Sequence, residues 1–358
     1  MLKIRQLLQT LQEIEFAYRR GQTFKVNFAT TWQCNSRCQH CNIWRIYIDR
    51  PEQVKQEVKL GEVEAIFKNW SRLTWVSLTG GEPFLRSDLV DIARIINECC
   101  KIKILSIPTN GLTPELIERK VTEIAKLKIP FTFISVSLDG TKEIHSRVRG
   151  VDLGYDRAID TLTRLDAIGR DFENLSCGFE YTISPFNAGS LKLLIDDLNQ
   201  RGLVSLVNKA TVTITHIADF YRNESLASEL DDTFKLKAIE DITEASKHMG
   251  RTSLNGLLGR VYLNTASKYL RTWQTPVSCT AARGSLFIDP YANVAPCTMM
   301  SKPLFNLRDT GYQLKPELLK QARQALKTYG CPQCWTPCEA YQSLITNTSF
   351  FFKHLLIG

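Results

Sequence analysis

"CNSRCQHC", residues 34–41, sets three cysteines within eight positions, between Trp32 and Trp44. An iron–sulfur cluster or a structural zinc ion normally takes four protein ligands. Three thiolates on one tight loop hold three corners of a four-iron cluster and leave the fourth iron open, much as a catalytic zinc keeps one position free. A closed site is structural, whereas an open one does chemistry. The rival reading is a Cys₃His zinc site completed by His40. His40 directly precedes Cys41, so one short loop would have to wrap all four ligands around a single ion.

The rest of the 358-residue chain bounds the choice. A hydrophobic content of 44% and a charged fraction of 23% describe a globular chain with one large core, or two ordinary ones. The net charge of +8 suits an anionic small molecule or simply a lysine-rich surface. No dense Lys/Arg block marks a nucleic-acid binder. The opening MLKIRQLLQTLQEIEF lacks the apolar run of a secretory signal, and no later stretch is long enough to span a bilayer. A cytoplasmic protein without membrane contact is expected; the apolar SFFFKHLLIG tail then serves as a cover on the fold. Eleven cysteines in such a chain argue for metal or redox work rather than disulfides. Eight of them fall in two groups, 34–41 and 279–338, while Cys99, Cys100 and Cys177 stand apart and read as buried or incidental thiols.

Upstream of the loop, an amphipathic helix (1–23) precedes a β/α alternation. TFKVNFAT (23–30) alternates as a strand with Phe24, Val26 and Phe28 on one face. Further strands are expected at 74–80, 103–108, 131–138, 175–183 and 210–217. Helices are expected around 60–72, 88–99, from Thr113-Pro114, at 154–168 and at 189–200. Six parallel β/α units over 24–217 fall short of the approximately 250 residues of a closed eight-fold barrel, so the expected α/β fold is a partial (β/α)₆ TIM-like barrel. A helical segment of no readable motif (218–275) follows. A small domain (276–345) contains the hairpin-like RGSLFIDPYANVAPC, turning at Asp289-Pro290, and a helix near 315–328; the tail (346–358) ends the chain.

Strand ends carry the next signal. TGGEPFLR (79–86) closes the second strand, PTNG (108–111) the third and SLDG (137–140) the fourth. In parallel β/α folds, ligands bind at carboxyl strand ends. The cysteine loop follows strand one, so these segments should share one rim. Gly80-Gly81 admits a close backbone approach, and Glu82 suits an ammonium.

With C-x3-C-x2-C followed by GGEP, the chain resembles a radical S-adenosylmethionine (radical SAM) enzyme over about 24–217. By that resemblance Cys34, Cys38 and Cys41 bind a [4Fe-4S] cluster, and S-adenosylmethionine chelates the open iron. One electron then splits the sulfonium to a 5′-deoxyadenosyl radical that abstracts hydrogen from substrate. The resemblance further implies Gly80, Gly81 and Glu82 at the methionine amino group and Asn110 near the ribose. Ser137 and Arg149 become candidates for ribose and carboxylate, and His40 takes the place of an aromatic beside the adenine. Arg149 and His145 of HSRVRG (145–150) otherwise read as surface residues, and His216 at the end of strand six as a structural histidine or a substrate contact.

Cys279-x17-Cys297 with Cys331-x2-Cys334 is similar to the twitch form of the SPASM auxiliary-cluster domain. Ala292 stands where that pattern has glycine, and Cys338 is a spare that competes with Cys331 or Cys334. One auxiliary [4Fe-4S] cluster on Cys279, Cys297, Cys331 and Cys334 is implied, acting as an electron port; a zinc knuckle is the structural alternative. The expected function is a radical oxidoreductase, dehydrogenase-like, on an anionic small molecule, served by a reductase or a ferredoxin- or flavodoxin-type donor. A peptide- or protein-modifying maturase and a non-enzymatic zinc module are the alternatives. A redox-neutral epimerase would need a hydrogen donor, which the sequence does not identify.

Overall fold

A computed structural model describes residues 4–70, 73–249, 254–300, 302–328, 330–331 and 333–357. Parts of the expected elements at 1–3, 71–72, 250–253 and 358 lie outside the described residues. Six strands run in sequence order and pair in parallel: β1 (Lys25–Thr31), β2 (Trp75–Gly80), β3 (Ile104–Thr109), β4 (Phe131–Ser137), β5 (Leu175–Ile183) and β6 (Thr211–Ile214). The sheet stays open, as a partial barrel does.

The hairpin also belongs to this sheet. β7 (Ser285–Ile288) pairs in parallel with the free edge of β1, and β8 (Asn293–Ala295) and β9 (Phe305–Asn306) continue it antiparallel, giving nine strands in the order β6-β5-β4-β3-β2-β1-β7-β8-β9. The turn forms because Asp289 Oδ1 accepts from the backbone N–H groups of Tyr291 and Asn293 at 2.8 and 2.9 Å.

Each strand splits its side chains by the two-residue period. Val26, Phe28, Val76, Leu78, Leu105, Ile107, Phe179 and Ile183 point outward into the main core under the helices. Phe24 packs separately, with Ile14 and Ala17 of the N-terminal helix Ile4–Arg19. The inward face is different in kind. Lys25, Asn27, Ser77, Ser106, Ser135 and Glu180 face a cavity of about 300 Å³. A closed barrel fills its interior with branched aliphatics; here short hydroxyl side chains leave room for a ligand.

The crossover helices Leu60–Lys68, Leu89–Cys100, Pro114–Ala125, Gly154–Asp171 and Leu191–Gln200 stand where the pattern places them. Thr113 occupies the N-cap position before Pro114 without a side-chain capping bond. An extra helix, Lys142–Arg149, fills the "HSRVRG" region. Segment 218–275 holds two long helices, Asp232–His248 and Leu254–Thr272. The tail is a helix, Thr348–Ile357, whose Phe351 is buried in the main core. Among the described residues no helix is long and apolar enough to cross a membrane.

Candidate active site

Backbone hydrogen bonds fix the cysteine loop from three directions. Arg37 N donates to Arg149 O and Gln39 N to Val148 O, both at 2.9 Å, strapping the loop to the helix Lys142–Arg149. Asn42 N reaches Tyr221 O at 2.8 Å, and Asn223 Nδ2 donates to His40 O at 3.0 Å. On the β2 side, Gly81 N bonds Thr31 O and Glu82 N bonds Gln33 O, at 2.8 and 2.7 Å. Only glycines allow this approach: Gly80 sits at φ +130°, and a Cβ on Gly80 or Gly81 would run into the carbonyl oxygens of Thr31 or Gln33.

The sequence-picked residues converge. Cys34, Cys38, Cys41, His40, Gly80, Gly81, Glu82, Asn110, Ser137 and Arg149 all line the barrel cavity. Burial comes first in raising the Cys34 and Cys41 thiols, Cys41 to about 12, and the neighbouring Cys38 sulfur adds to it in both. A positively charged iron centre against such a set would reverse that penalty and hold the thiolates. The residues present therefore fit the implied cluster. Among the described residues no three Cys, His, Asp or Glu side chains are gathered closely enough for a single metal ion; a multi-iron cluster spreads its thiolates over separate irons.

Glu82 has a structural duty. Its carboxylate accepts from Phe84 N (3.1 Å), Thr109 Oγ1 (2.9 Å) and Asn110 N (2.6 Å), tying the ends of β2 and β3 together. Burial raises its pKa to about 7 against these bonds. Asn110 Nδ2 donates to Asn35 Oδ1 at 2.7 Å and stands 4.0 Å from Cys34 Sγ. Arg149 is buried rather than solvated: its Nε donates to Asp139 Oδ2 at 2.6 Å. His145 is buried as well, and its Nδ1 accepts from Asp139 N at 3.0 Å. His216 is satisfied at both ring nitrogens: Nδ1 meets Ile214 O at 2.5 Å, and Nε2 accepts from Trp335 N at 2.9 Å. His40 is buried with no hydrogen-bond partner at Nδ1.

The second cysteine group divides. Cys297 and Cys334 are buried and Cys279 half-buried. Each charge bears on its neighbours: Cys279 on Cys297 and Cys334, and Cys331 on Cys279. Backbone N–H groups of Ala281 and Met300 point at Cys279 and Cys297 Sγ, both at 3.4 Å, an arrangement suited to thiolates. Ala292 adopts φ +67°, the left-handed conformation for which its pattern uses glycine. Cys338 lines the barrel cavity, and Lys25 and Glu180 bear on it together with Glu339, which also bears on Cys279, Cys297 and Cys334.

The helix Leu254–Thr272 explains the segment that the sequence left without a role. Tyr262 Oη donates to Trp335 O (3.1 Å) and Tyr269 Oη to Gln333 O (3.2 Å), while Trp335 Nε1 donates to Tyr262 O (3.0 Å). Together with His216, these bonds tie Gln333 and Trp335 to that helix and to the segment after β6.

Sequence reasoning missed the cavity floor. Lys25 Nζ donates to Cys338 O (2.6 Å) and Gln342 Oε1 (2.9 Å) and lies 3.9 Å from the Trp75 ring centre. Glu180, opposite Ser137 in the β4–β5 register, accepts from Ser135 Oγ at 3.1 Å. The available signal was polar residues at alternate positions of otherwise apolar strands, as in KVNF and GFEYTI.

Residues 30–194 match the Radical SAM superfamily. Among curated proteins, the Fe-coproporphyrin III synthase of Methanosarcina barkeri is 26% identical over 170 residues, 48% of this chain and 39% of that protein. The GTP 3′,8-cyclase of Yersinia pestis is 28% identical over 162 residues, 41% of this chain and 47% of that protein. The matches thus span less than half of these relatives. In solved structures, anSMEcpe with bound AdoMet aligns with a TM-score of 0.58 at 14% identity, covering 93% of this chain and 98% of that one. Streptococcus suis SuiB bound to precursor peptide SuiA aligns with a TM-score of 0.55 at 15% identity, covering 86% and 69%. These structural likenesses show the fold.

Proposed function

We propose that the chain, whose residues 30–194 match the Radical SAM superfamily, is a radical SAM oxidoreductase acting on an anionic small molecule in the barrel cavity. The observation that carries this is the convergence of the three loop thiols, the Gly80-Gly81 approach, Asn110, Ser137 and Arg149 on one cavity. With its cluster and S-adenosylmethionine bound, that cavity supplies a 5′-deoxyadenosyl radical. This chain's part is positioning. With S-adenosylmethionine bound, Gly80 and Gly81 would leave backbone accessible to its amino group, Asn110 and Ser137 would serve the ribose, and His40 would take the place beside the adenine. Arg149 holds the cysteine loop through its own carbonyl and would serve the carboxylate.

Cys279, Cys297, Cys331 and Cys334 hold an auxiliary [4Fe-4S] cluster in this reading. The coupled thiols, the N–H groups aimed at two of them and the left-handed Ala292 support it. Such a centre suits removal of one electron from a substrate radical, giving a net oxidation, with a ferredoxin- or flavodoxin-type protein as the external donor. The net charge of +8 and curated relatives named for GTP and coproporphyrin support an anionic substrate.

The test is anaerobic reconstitution with iron and sulfide, then reduction with S-adenosylmethionine. About eight irons per chain and 5′-deoxyadenosine are expected. Alanine at Cys34, Cys38 or Cys41 abolishes the product. Alanine at Cys279 or Cys297 lowers iron by about half while some cleavage survives. Zinc in place of iron, or no 5′-deoxyadenosine, overturns the reading.

A further inference from the structure

We propose that the substrate is a zwitterion, with its anionic group held by Lys25 and an amino group held by Glu180 in the barrel cavity. This deepens the proposed function, on which it rests for the use of that cavity: beside the negative charge expected there, the substrate carries a positive one.

Lys25 and Glu180 are charges that the protein leaves without an opposite partner. Glu82, which also lines the cavity, is held by three donors, and Arg149 is paired with Asp139. Lys25 and Glu180 form no ion pair among the described residues. Lys25 Nζ, from β1, donates to two neutral acceptors, Cys338 O at 2.6 Å and Gln342 Oε1 at 2.9 Å. One N–H of its ammonium is left over. Glu339 acts on Lys25 only through its charge, and it has donors of its own in Ser285 Oγ at 2.6 Å and Gln342 Nε2 at 2.7 Å. Glu180, from β5, accepts at Oε2 from Ser135 Oγ at 3.1 Å, while Oε1 takes no bond among the described residues. The charges of Lys25 and Glu180 both act on Cys338, so they face a common space.

Burial draws the Lys25 ammonium below its ordinary pKa and lifts the Glu180 carboxyl above its own. Each charged form therefore gains from an opposite charge brought in by a ligand. A purely anionic molecule would neutralise Lys25 and be repelled by Glu180; a purely cationic one would do the reverse. A molecule with both groups neutralises the two side chains together and leaves the net charge of the cavity unchanged.

Two orphaned polar atoms stand at the same two places. Asn27 Oδ1 lies two residues along β1 from Lys25, on the same face. Thr215 Oγ1 lies just past β6, where Thr215 N bonds Ile183 O of Glu180's own strand. Both residues line the cavity and are at least nine-tenths buried, and neither atom has a hydrogen-bond partner. Buried polar atoms are normally satisfied, so a polar ligand reaching from one to the other accounts for both. Between them Trp75, whose ring centre is 3.9 Å from Lys25 Nζ, and Phe133 offer apolar faces for the carbon skeleton.

The binding experiment uses two skeletons, each with both charges, the anion alone or the cation alone. One set is glucosamine 6-phosphate, glucose 6-phosphate and glucosamine; the other is L-phenylalanine, 3-phenylpropionate and phenethylamine. Affinities for the anaerobically reconstituted holoenzyme are measured by titration calorimetry. At least one zwitterion should bind about tenfold tighter than each of its single-charge analogues. Glu180→Gln, which keeps an acceptor for Ser135, should erase the advantage of the amino group and leave that of the anion; Lys25→Met should do the opposite. Because Lys25 also anchors the helix Pro337–Thr346, Glu180→Gln is the deciding variant, its iron content and thermal midpoint expected to match the wild type. A wild type that prefers neither zwitterion, or an amino preference that survives Glu180→Gln, overturns the proposal. Absence of 5′-deoxyadenosine from the same preparation would instead sink the radical reading, whatever the binding shows.

Discussion

Arg149 Nη1 lies 3.5 Å from Cys38 Sγ while its Nε holds Asp139 Oδ2 at 2.6 Å. The guanidinium thus joins the end of the helix Lys142–Arg149 to the cysteine loop, and Asp139 at the β4 end orients it. Asp139 also accepts from Thr182 N at 2.9 Å, so the pair reaches β5. Breaking one side of a buried pair leaves an uncompensated charge, at a cost of about 3–5 kcal/mol. Asp139→Asn should therefore lower the thermal midpoint well beyond an exposed control such as Asp232→Asn. Because the pair is buried, the loss should persist at high salt; equal midpoints for the two variants would refute the role given to Asp139.

Gly81 and Gly61 make a contrast within one chain. A methyl on Gly81 meets the backbone of Trp32 and Gln33, whereas one on Gly61, in the helix Leu60–Lys68, meets nothing. Gly81→Ala should cost about 1–3 kcal/mol through backbone displacement and disturb the loop geometry. Gly61→Ala should stabilise by about 0.4–1 kcal/mol. Urea unfolding of the pair measures both signs.

His216 gives a pH signature. Burial holds its folded-state pKa at about 4, below the ordinary histidine value of 6.5, so the folded protein binds fewer protons than the unfolded chain between those values. Its contribution is complete above pH 6.5 and disappears as pH falls toward 4, by about 3 kcal/mol in total. His216→Gln should flatten the stability–pH curve in that window, seen by denaturant midpoints at a series of pH values. An unchanged slope would show that His216 titrates normally.

Removal of iron should loosen the C-terminal region. Cys297 and Cys334 are buried thiols whose charges disfavour one another once no metal binds them. Anaerobic chelation should lower the unfolding temperature of the reconstituted wild type. It should change Cys279→Ala less, since one of the two centres is already lost. Differential scanning fluorimetry before and after chelation decides it.

The spacing of the cysteines, the paired glycines and the alternation of Val26 and Phe28 with Lys25 and Asn27 were legible in the linear chain, because each is a local rule of ligand geometry or strand pleat. So was the hairpin at Asp289-Pro290. That β7 would join β1 was not, since pairing between distant strands depends on which edge the barrel leaves free. The helix Lys142–Arg149 was also hidden: its three buried residues are His145, Val148 and Arg149, only one of them apolar, and its role comes from bonds to a loop more than a hundred residues earlier.

The chain by itself determined what chemistry its cysteine loop can hold and which strand ends surround it. Tertiary structure alone decided that Arg149 and His145 are buried, that Lys25 and Glu180 face the cavity, and that Cys338 lines it with them. The reason is physical: sequence period fixes a side chain's face within its own element, whereas burial and charge environment come from other elements packed across it.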